Sequence, residues 1–272
     1  MSADLTWKLN GVDLDSDPGF LTSVSVWRPN LSTRRTPIVI PGLHGSVDAG
    51  LPVFDEPTVT LSVRVSQTSQ QALEQAVNNL VRLAAQSVLT LTRVSGGITA
   101  SAAARLVSAN FEDFLVGATE RLLIVLAVPG VFFREDAQTS AQQGFAADVS
   151  NAPVGHLGGS TGPIRDAVVQ VQGPATAVQV SDPASGTGIS WTGSLAAGAF
   201  LYIDPASLSA WISASASDWS KAGTDATAGV DYPPAGPLAL WPRADGQVWF
   251  SAAGTGRTSA TRIALRAGRS FL

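Results

Sequence analysis

The chain has no cysteine, one methionine, two lysines and two histidines among its 272 residues. Without cysteine there are no disulfides, no thiolate metal ligands and no cysteine nucleophile. A Ser-His-Asp triad or a typical zinc site would have to use His44 or His156. Charge is also scarce, at 14% against 45% hydrophobic residues, a balance that suits a folded chain with a sizeable core rather than disorder. Long apolar runs are missing despite a mean hydropathy of +0.20. The most apolar stretch, Leu122 to Phe133, is broken by Pro129-Gly130 and falls short of the ~20 residues of a spanning helix. The opening residues Met1 to Leu5 lack the basic and apolar regions of a signal peptide, so none is expected.

A concentrated basic region is lacking too. Residues 1–150 hold 14 acids and 10 bases, and residues 151–272 hold 7 of each. A nucleic-acid reader would show a basic face. The nearest approach is the acid-free tail with Arg257, Arg262, Arg266 and Arg269, which reads as a solvated face or interface rim.

What is present is strand pattern. Thr58 to Val65 alternates apolar with polar, the period of a half-buried strand. Thr68 and Gln71 form a capping-box spacing, and Leu73, Ala76, Val77, Leu80, Val81 and Ala84 then recur on one helical stripe ending near Gln86. Strands are expected at Val88–Val94, Ala104–Asn110 and Arg121–Val128, the last apolar on both faces. Residues 151–163, dense in Gly, Pro, Ser and Asn, read as a linker between domains at 1–150 and 164–272. Beyond it short strands recur between turns, at 167–172, 175–180, 188–191, 200–204, 247–251 and 261–267. Such spacing marks a β-sandwich. Five of the seven tryptophans lie in this half, either filling its core or stacking on sugars.

Catalytic patterns are weak. Gly158-Gly159-Ser160-Thr161-Gly162 fits the nucleophile-elbow formula, but Ala152-Pro153-Val154-Gly155 upstream cannot make a central strand and no helix follows. Gly254-Thr255-Gly256 lacks the third glycine and the helix of a dinucleotide loop. Asp55-Glu56 and Glu112-Asp113 are adjacent carboxylates on loops, which gives no carboxyl separation in space. No catalytic, cofactor or metal residue is assigned, and no enzyme activity is expected.

The order of several short motifs resembles the distal tail proteins of long-tailed, non-contractile phages, in the form found as minor tail proteins of phages of high-GC Gram-positive bacteria. Trp7-Lys8-Leu9-Asn10-Gly11-Val12-Asp13-Leu14 is similar to that family's opening strand and turn. Arg34-Arg35-Thr36 leads into Val39-Ile40-Pro41-Gly42-Leu43-His44-Gly45, which resembles its Val-Pro-Gly-x-x-Gly loop. The strand Thr58–Val65 and helix Gln70–Gln86 match its next unit. Val169 to Pro174 with Val178 to Asp182, then Leu195 to Gly198 with Phe200 to Asp204, are similar to the second domain's hairpin and its Leu-x-x-Gly-x-x-Leu-x-Ile-Asp signature. Ala210–Pro237 departs from the pattern.

The resemblance implies a mainly β protein with one helix, an α+β, tail-tube-like N-terminal sandwich followed by a galectin-like C-terminal sandwich. It also implies a homo-oligomer, a hexameric ring joining the tail tube protein to the tail-tip hub protein and offering attachment to receptor-binding or fibre proteins. DNA would pass through the channel without specific binding, and the acidity of the first domain suits that. The protein would be assembled in the host cytoplasm and end in the virion, at no membrane. The segment from Asn30 to Pro57 is too long for an ordinary connection and is expected to reach a neighbouring subunit. Candidate assembly contacts are Arg34, Arg35, Pro41, Gly42 and His44 on it, with Ile124 and Leu126 on the doubly apolar strand. The alternative is a carbohydrate-binding module recognising host glycans, which requires at least two tryptophans exposed together.

Overall fold

The computed structural model describes residues 5–15, 20–24, 32–34, 37–38, 47–48, 53–115 and 118–272. It is mainly β with one α-helix. The chain divides into two units, Met1–Glu135 with Leu272, and Asp136–Phe271. No helix of the described residues is long and apolar enough to cross a membrane.

The first unit is a curved antiparallel sheet carrying the helix. Its strands are β1 (Thr6–Leu9), β2 (Val12–Asp13), β3 (Phe20–Val24), β4 (Thr58–Ser66), β5 (Leu89–Ser95), β6 (Ile98–Leu115) and β7 (Thr119–Ala127). They are ordered β2-β1-β5-β6-β7-β4-β3. Strand β6 is the hinge of this order and runs 18 residues, far beyond the expected Ala104–Asn110. Its first half pairs with β5, from Ile98 opposite Ser95 to Ala104 opposite Leu89. Its second half pairs with β7, from Arg105 opposite Ala127 to Leu115 opposite Thr119. The register slips at Val107 and Glu112, and such bulges bend a strand. The β5–β6 turn is made by Gly96 and Gly97, at φ +57° and +80°, which side chains other than glycine rarely adopt.

The helix α1 runs Gln70–Ala84. Ser69, one residue beyond the expected Thr68, caps it by accepting from the Ala72 N–H at 3.2 Å. Leu73, Val77, Leu80 and Ala84 form its buried stripe, and it packs on β4, β6 and β7. The face it covers carries Val59, Leu61, Val63 and Val65 of β4, with Leu122, Ile124 and Leu126 of β7. The opposite face presents Thr58, Thr60, Ser62 and Arg64 of β4, beside Arg121, Leu123, Val125 and Ala127 of β7.

The second unit is a sandwich with strands β8 (Val149–Pro153), β9 (Val168–Gln172), β10 (Ala175–Ser181), β11 (Gly188–Leu195), β12 (Phe200–Asp204), β13 (Ser209–Ser213), β14 (Trp249–Thr255) and β15 (Arg262–Ala267). One sheet runs β15-β9-β12-β13, flanked by two-residue strands, and the other runs β8-β14-β10-β11. Val169, Val171, Leu201, Ile203, Ile263 and Leu265 of the first meet Val178, Val180, Ile189, Trp191 and Phe250 of the second in one core.

Residues 151–163 correct the expected linker. Ala152, Val154 and Leu157 belong to that core, and the Val154 N–H donates to the Val248 carbonyl at 2.8 Å. The glycines and prolines serve a tight buried turn, with Gly159 at φ +84°, rather than a flexible connection. Ala210–Pro237 is also ordered. Its loop after β13 lies over the β12–β13 pair, where Tyr202 stacks on Trp211 with centroids 5.2 Å apart. The Tyr202 hydroxyl donates to the Ser215 carbonyl at 2.6 Å, and Trp211 Nε1 donates to the Asp218 carbonyl at 3.0 Å.

A fragment beginning at Asp136 should therefore be a stable domain, and one beginning at Pro163 should not. The shorter fragment lacks Phe145, Val154 and Leu157, each fully or almost fully buried and worth about 1.5–3 kcal/mol. Urea denaturation of both compares them, and equal midpoints would contradict this boundary.

Candidate functional site

The residues with nucleophile or acid–base potential are built into the fold. Ser160 is buried, its hydroxyl donating to the Leu157 carbonyl at 2.8 Å and accepting from the Ser270 N–H at 3.2 Å. An elbow serine must present a free hydroxyl on a strand-to-helix turn, whereas this one follows a short 3-10 turn at Gly155–Leu157 and no helix comes after it. His156 is half-buried, and burial holds its imidazole below its ordinary pKa. His44 lies outside the described residues. Among the described residues no group of three His, Asp or Glu side chains is placed to hold a metal ion.

A groove of about 440 Å³ crosses the outer face of β10, β11 and β14. Gln179, Ser190, Thr192 and Thr255 line it, and the Arg257–Asp148 ion pair at 2.8 Å stands at one end. Trp191 also borders it but is buried, so no tryptophan offers a stacking face there. Trp7, Trp191 and Trp211 are buried, and Trp219, Trp241 and Trp249 are half-buried. The two exposed tryptophans that glycan binding required are absent among the described residues. The tail arginines are likewise engaged. Arg257 lies over Phe145, Arg266 over Trp219 and Arg269 over Phe271, while Arg262 donates to the Ser259 and Thr261 carbonyls.

Unfinished sheet edges are the more informative feature. From Arg105 onward β6 pairs with β7 alone, and β3 pairs with β4 alone. The four-strand half β6-β7-β4-β3 thus ends in two edges unpaired among the described residues. Exposed edges invite pairing with another chain, and proteins usually blunt them. Here β6 instead exposes Val107 and Phe111, each 59% accessible.

The segment preceding β4 forms rungs with itself. Thr33 and Arg34 pair with Phe54 and Val53, and Pro37 and Ile38 pair with Asp48 and Val47. Arg34 braces the base of this hairpin, its Nε and Nη2 donating to Asp55 Oδ1 at 3.2 and 3.1 Å. The hydrogen bond from Ser32, and next the one from Arg34, hold the Asp55 carboxyl below its usual pKa.

This arrangement of sheet, helix and second sandwich matches solved structures along nearly its whole length. The Dit protein of phage SPP1, described as a paradigm of the hub adsorption apparatus in phages infecting Gram-positive bacteria, superposes with a TM-score of 0.62. The match covers 98% of this chain and 99% of that one at 14% identity. The fold is that of SPP1 Dit. Two structures of the phage P2 baseplate in its activated conformation, with Ca and with Sr, match at TM-scores of 0.43 and identities of 10% and 11%. They cover 96% of this chain and 97% of theirs. No family profile and no curated sequence matches the chain.

Within this Dit-like fold the predicted contact residues separate. Arg34 is exposed at the hairpin base, whereas Arg35, Pro41, Gly42 and His44 lie outside the described residues. Ile124 and Leu126 are a correction. Both are fully buried beneath α1 in their own chain, so they cannot meet another subunit. The alternate residues Leu123 and Val125 are the half-buried ones on the uncovered face. The strand is apolar on both faces in the sequence, and nothing in that pattern marks the side the helix takes. Val107 and Phe111 carry no sequence signal, because their exposure depends on where β5 stops pairing.

Ile124→Ala should accordingly cost about 2–5 kcal/mol in urea denaturation, as core truncations do. Phe111→Ala should stay within about 0.5 kcal/mol. Equal losses would place Phe111 in the core and remove the exposed edge.

Proposed function

We propose that this chain is a structural virion protein of a phage tail tip, six copies of which close into a ring. The ring joins the tail tube protein to the tail-tip hub protein, and its outer domains offer attachment to receptor-binding or fibre proteins. The end-to-end match of both units to SPP1 Dit carries this reading. Assembly takes place in the host cytoplasm, and the protein acts by contact rather than by catalysis.

The free edges supply a physical route to a ring. Strands β3, β4, β7 and β6 alternate in direction, so β6 of one copy meets β3 of the next antiparallel. Such a head-to-tail contact is heterologous and closes when its rotation divides a full turn. Strand addition satisfies the open backbone groups of both edges and covers Phe111. The helix-covered face then belongs outside, because a 15-residue helix from every copy would fill the channel. The hairpin at 33–54 reaches a neighbouring subunit or ring, its rungs leaving it self-contained.

Native mass spectrometry with negative-stain microscopy of the full-length protein tests this. The expected species is an annulus of six times the 28.0 kDa chain. A two-fold dimer joined through residues 136–271 would contradict it.

A further inference from the structure

Val131 holds a backbone conformation that its own side chain opposes. Its φ is +67°, and it alone among the described β-branched residues has a positive φ. The left-handed region is costly for any residue with a Cβ and a genuine outlier for a branched one. The Phe132 N–H donates to the Gly130 carbonyl at 2.8 Å, closing a three-residue γ-turn in its rare, strained form. Glycine would adopt this φ freely, yet the glycine stands one position earlier.

Both ends of the turn are anchored. Upstream, the Val131 N–H donates to the Val128 carbonyl and the Val128 N–H to the Pro57 carbonyl, both at 2.9 Å. Downstream, Phe133 is fully buried edge-on to Trp7, with ring centroids 6.0 Å apart, and Arg134 pairs with Ser101 of β6. Val131 and Phe132, between these anchors, are only half-buried. Phe132 meets Phe54 edge to face, with centroids 5.5 Å apart and planes at 87°. Phe54 lies opposite Thr33 in the rung at the base of the 33–54 hairpin. The side-chain ties at that base, from Ser32 and Arg34 to Asp55, are exposed, and exposed pairs contribute little. One strained residue thus sets the position of the ring that seats the hairpin. Such strain persists only where the surrounding structure over-determines it, and it recurs in elements that have two arrangements.

We propose that the Gly130–Phe132 turn is a strained clamp that seats the 33–54 hairpin in the free chain and releases it to a neighbouring copy. The partner rests on the ring reading, whereas the clamp rests on Val131 and its anchors. Because both ends are held, return of Val131 to negative φ moves Phe132 and takes its ring off Phe54. The strain relieved then favours the released state, which is the differential free energy that any switch needs.

Hydrogen–deuterium exchange of the full-length protein, below its assembly concentration, reads the clamp at residues 53–57. Val131→Gly removes the strain and should slow exchange of the Asp55 N–H by about 5- to 30-fold, the factor to which a left-handed residue's penalty corresponds. Phe132→Ala should speed it, because the seat is gone. Val131→Asn, which also tolerates positive φ, repeats the test if the glycine variant unfolds. A higher melting temperature for Val131→Gly with unchanged exchange at 53–57 would overturn the proposal, since the strain would then stay within the turn. Sedimentation against concentration reads the partner. Val131→Gly should need about 5- to 30-fold more protein to form rings, and equal midpoints would overturn release on assembly. Slowed exchange in a chain that never forms rings supports the clamp and sinks the ring reading, while rings with unchanged exchange sink the clamp alone.

Discussion

The backbone groups of β6 beyond Arg105 are the constraint from which the rest of unit 1 follows. A strand of 18 residues pairs with β5 along its first half, where Ser101 also bridges Arg134, and with β7 alone along its second. The bulges at Val107 and Glu112 turn it from one half of the sheet to the other, leaving a row of N–H and C=O groups unpaired among the described residues beside an exposed Phe111. Buried backbone groups must be paired, and water satisfies exposed ones at little cost. An edge that is both open and apolar is different, because covering it gains hydrogen bonds and apolar burial together.

The second unit has no comparable deficit. Its core residues come from both sheets, its tail arginines are used on aromatic rings and carbonyls, and its aromatic trio of Tyr202, Trp211 and Trp219 is overlaid by a loop. This is the profile of a self-contained domain that meets partners through its surface. The contrast between the units is what the proposed assembly through the first rests on.

Much of this was legible in the sequence. Period-two alternation located Thr58–Ser66 almost to the residue, and the apolar stripe located α1. Composition misled at 151–163, where Gly, Pro and Ser serve a buried turn whose partners, Val248, Gly246 and Ser270, are about 90 or more positions away. The burial of Ile124 was equally unreadable, since a strand apolar on both sides does not declare which side a helix will cover.

The absence of cysteine permits a direct measurement of edge-to-edge closure. Ser23 and Asn110 stand on one ladder row, at opposite edges of the four-strand half. Within a chain they are three strand spacings apart, about 14 Å, which exceeds the ~7 Å a disulfide can bridge. A Ser23→Cys/Asn110→Cys variant, oxidised and run without reductant, should give covalent multimers ending at six chains. An oligomeric protein that forms no intermolecular disulfide would contradict closure through β3 and β6.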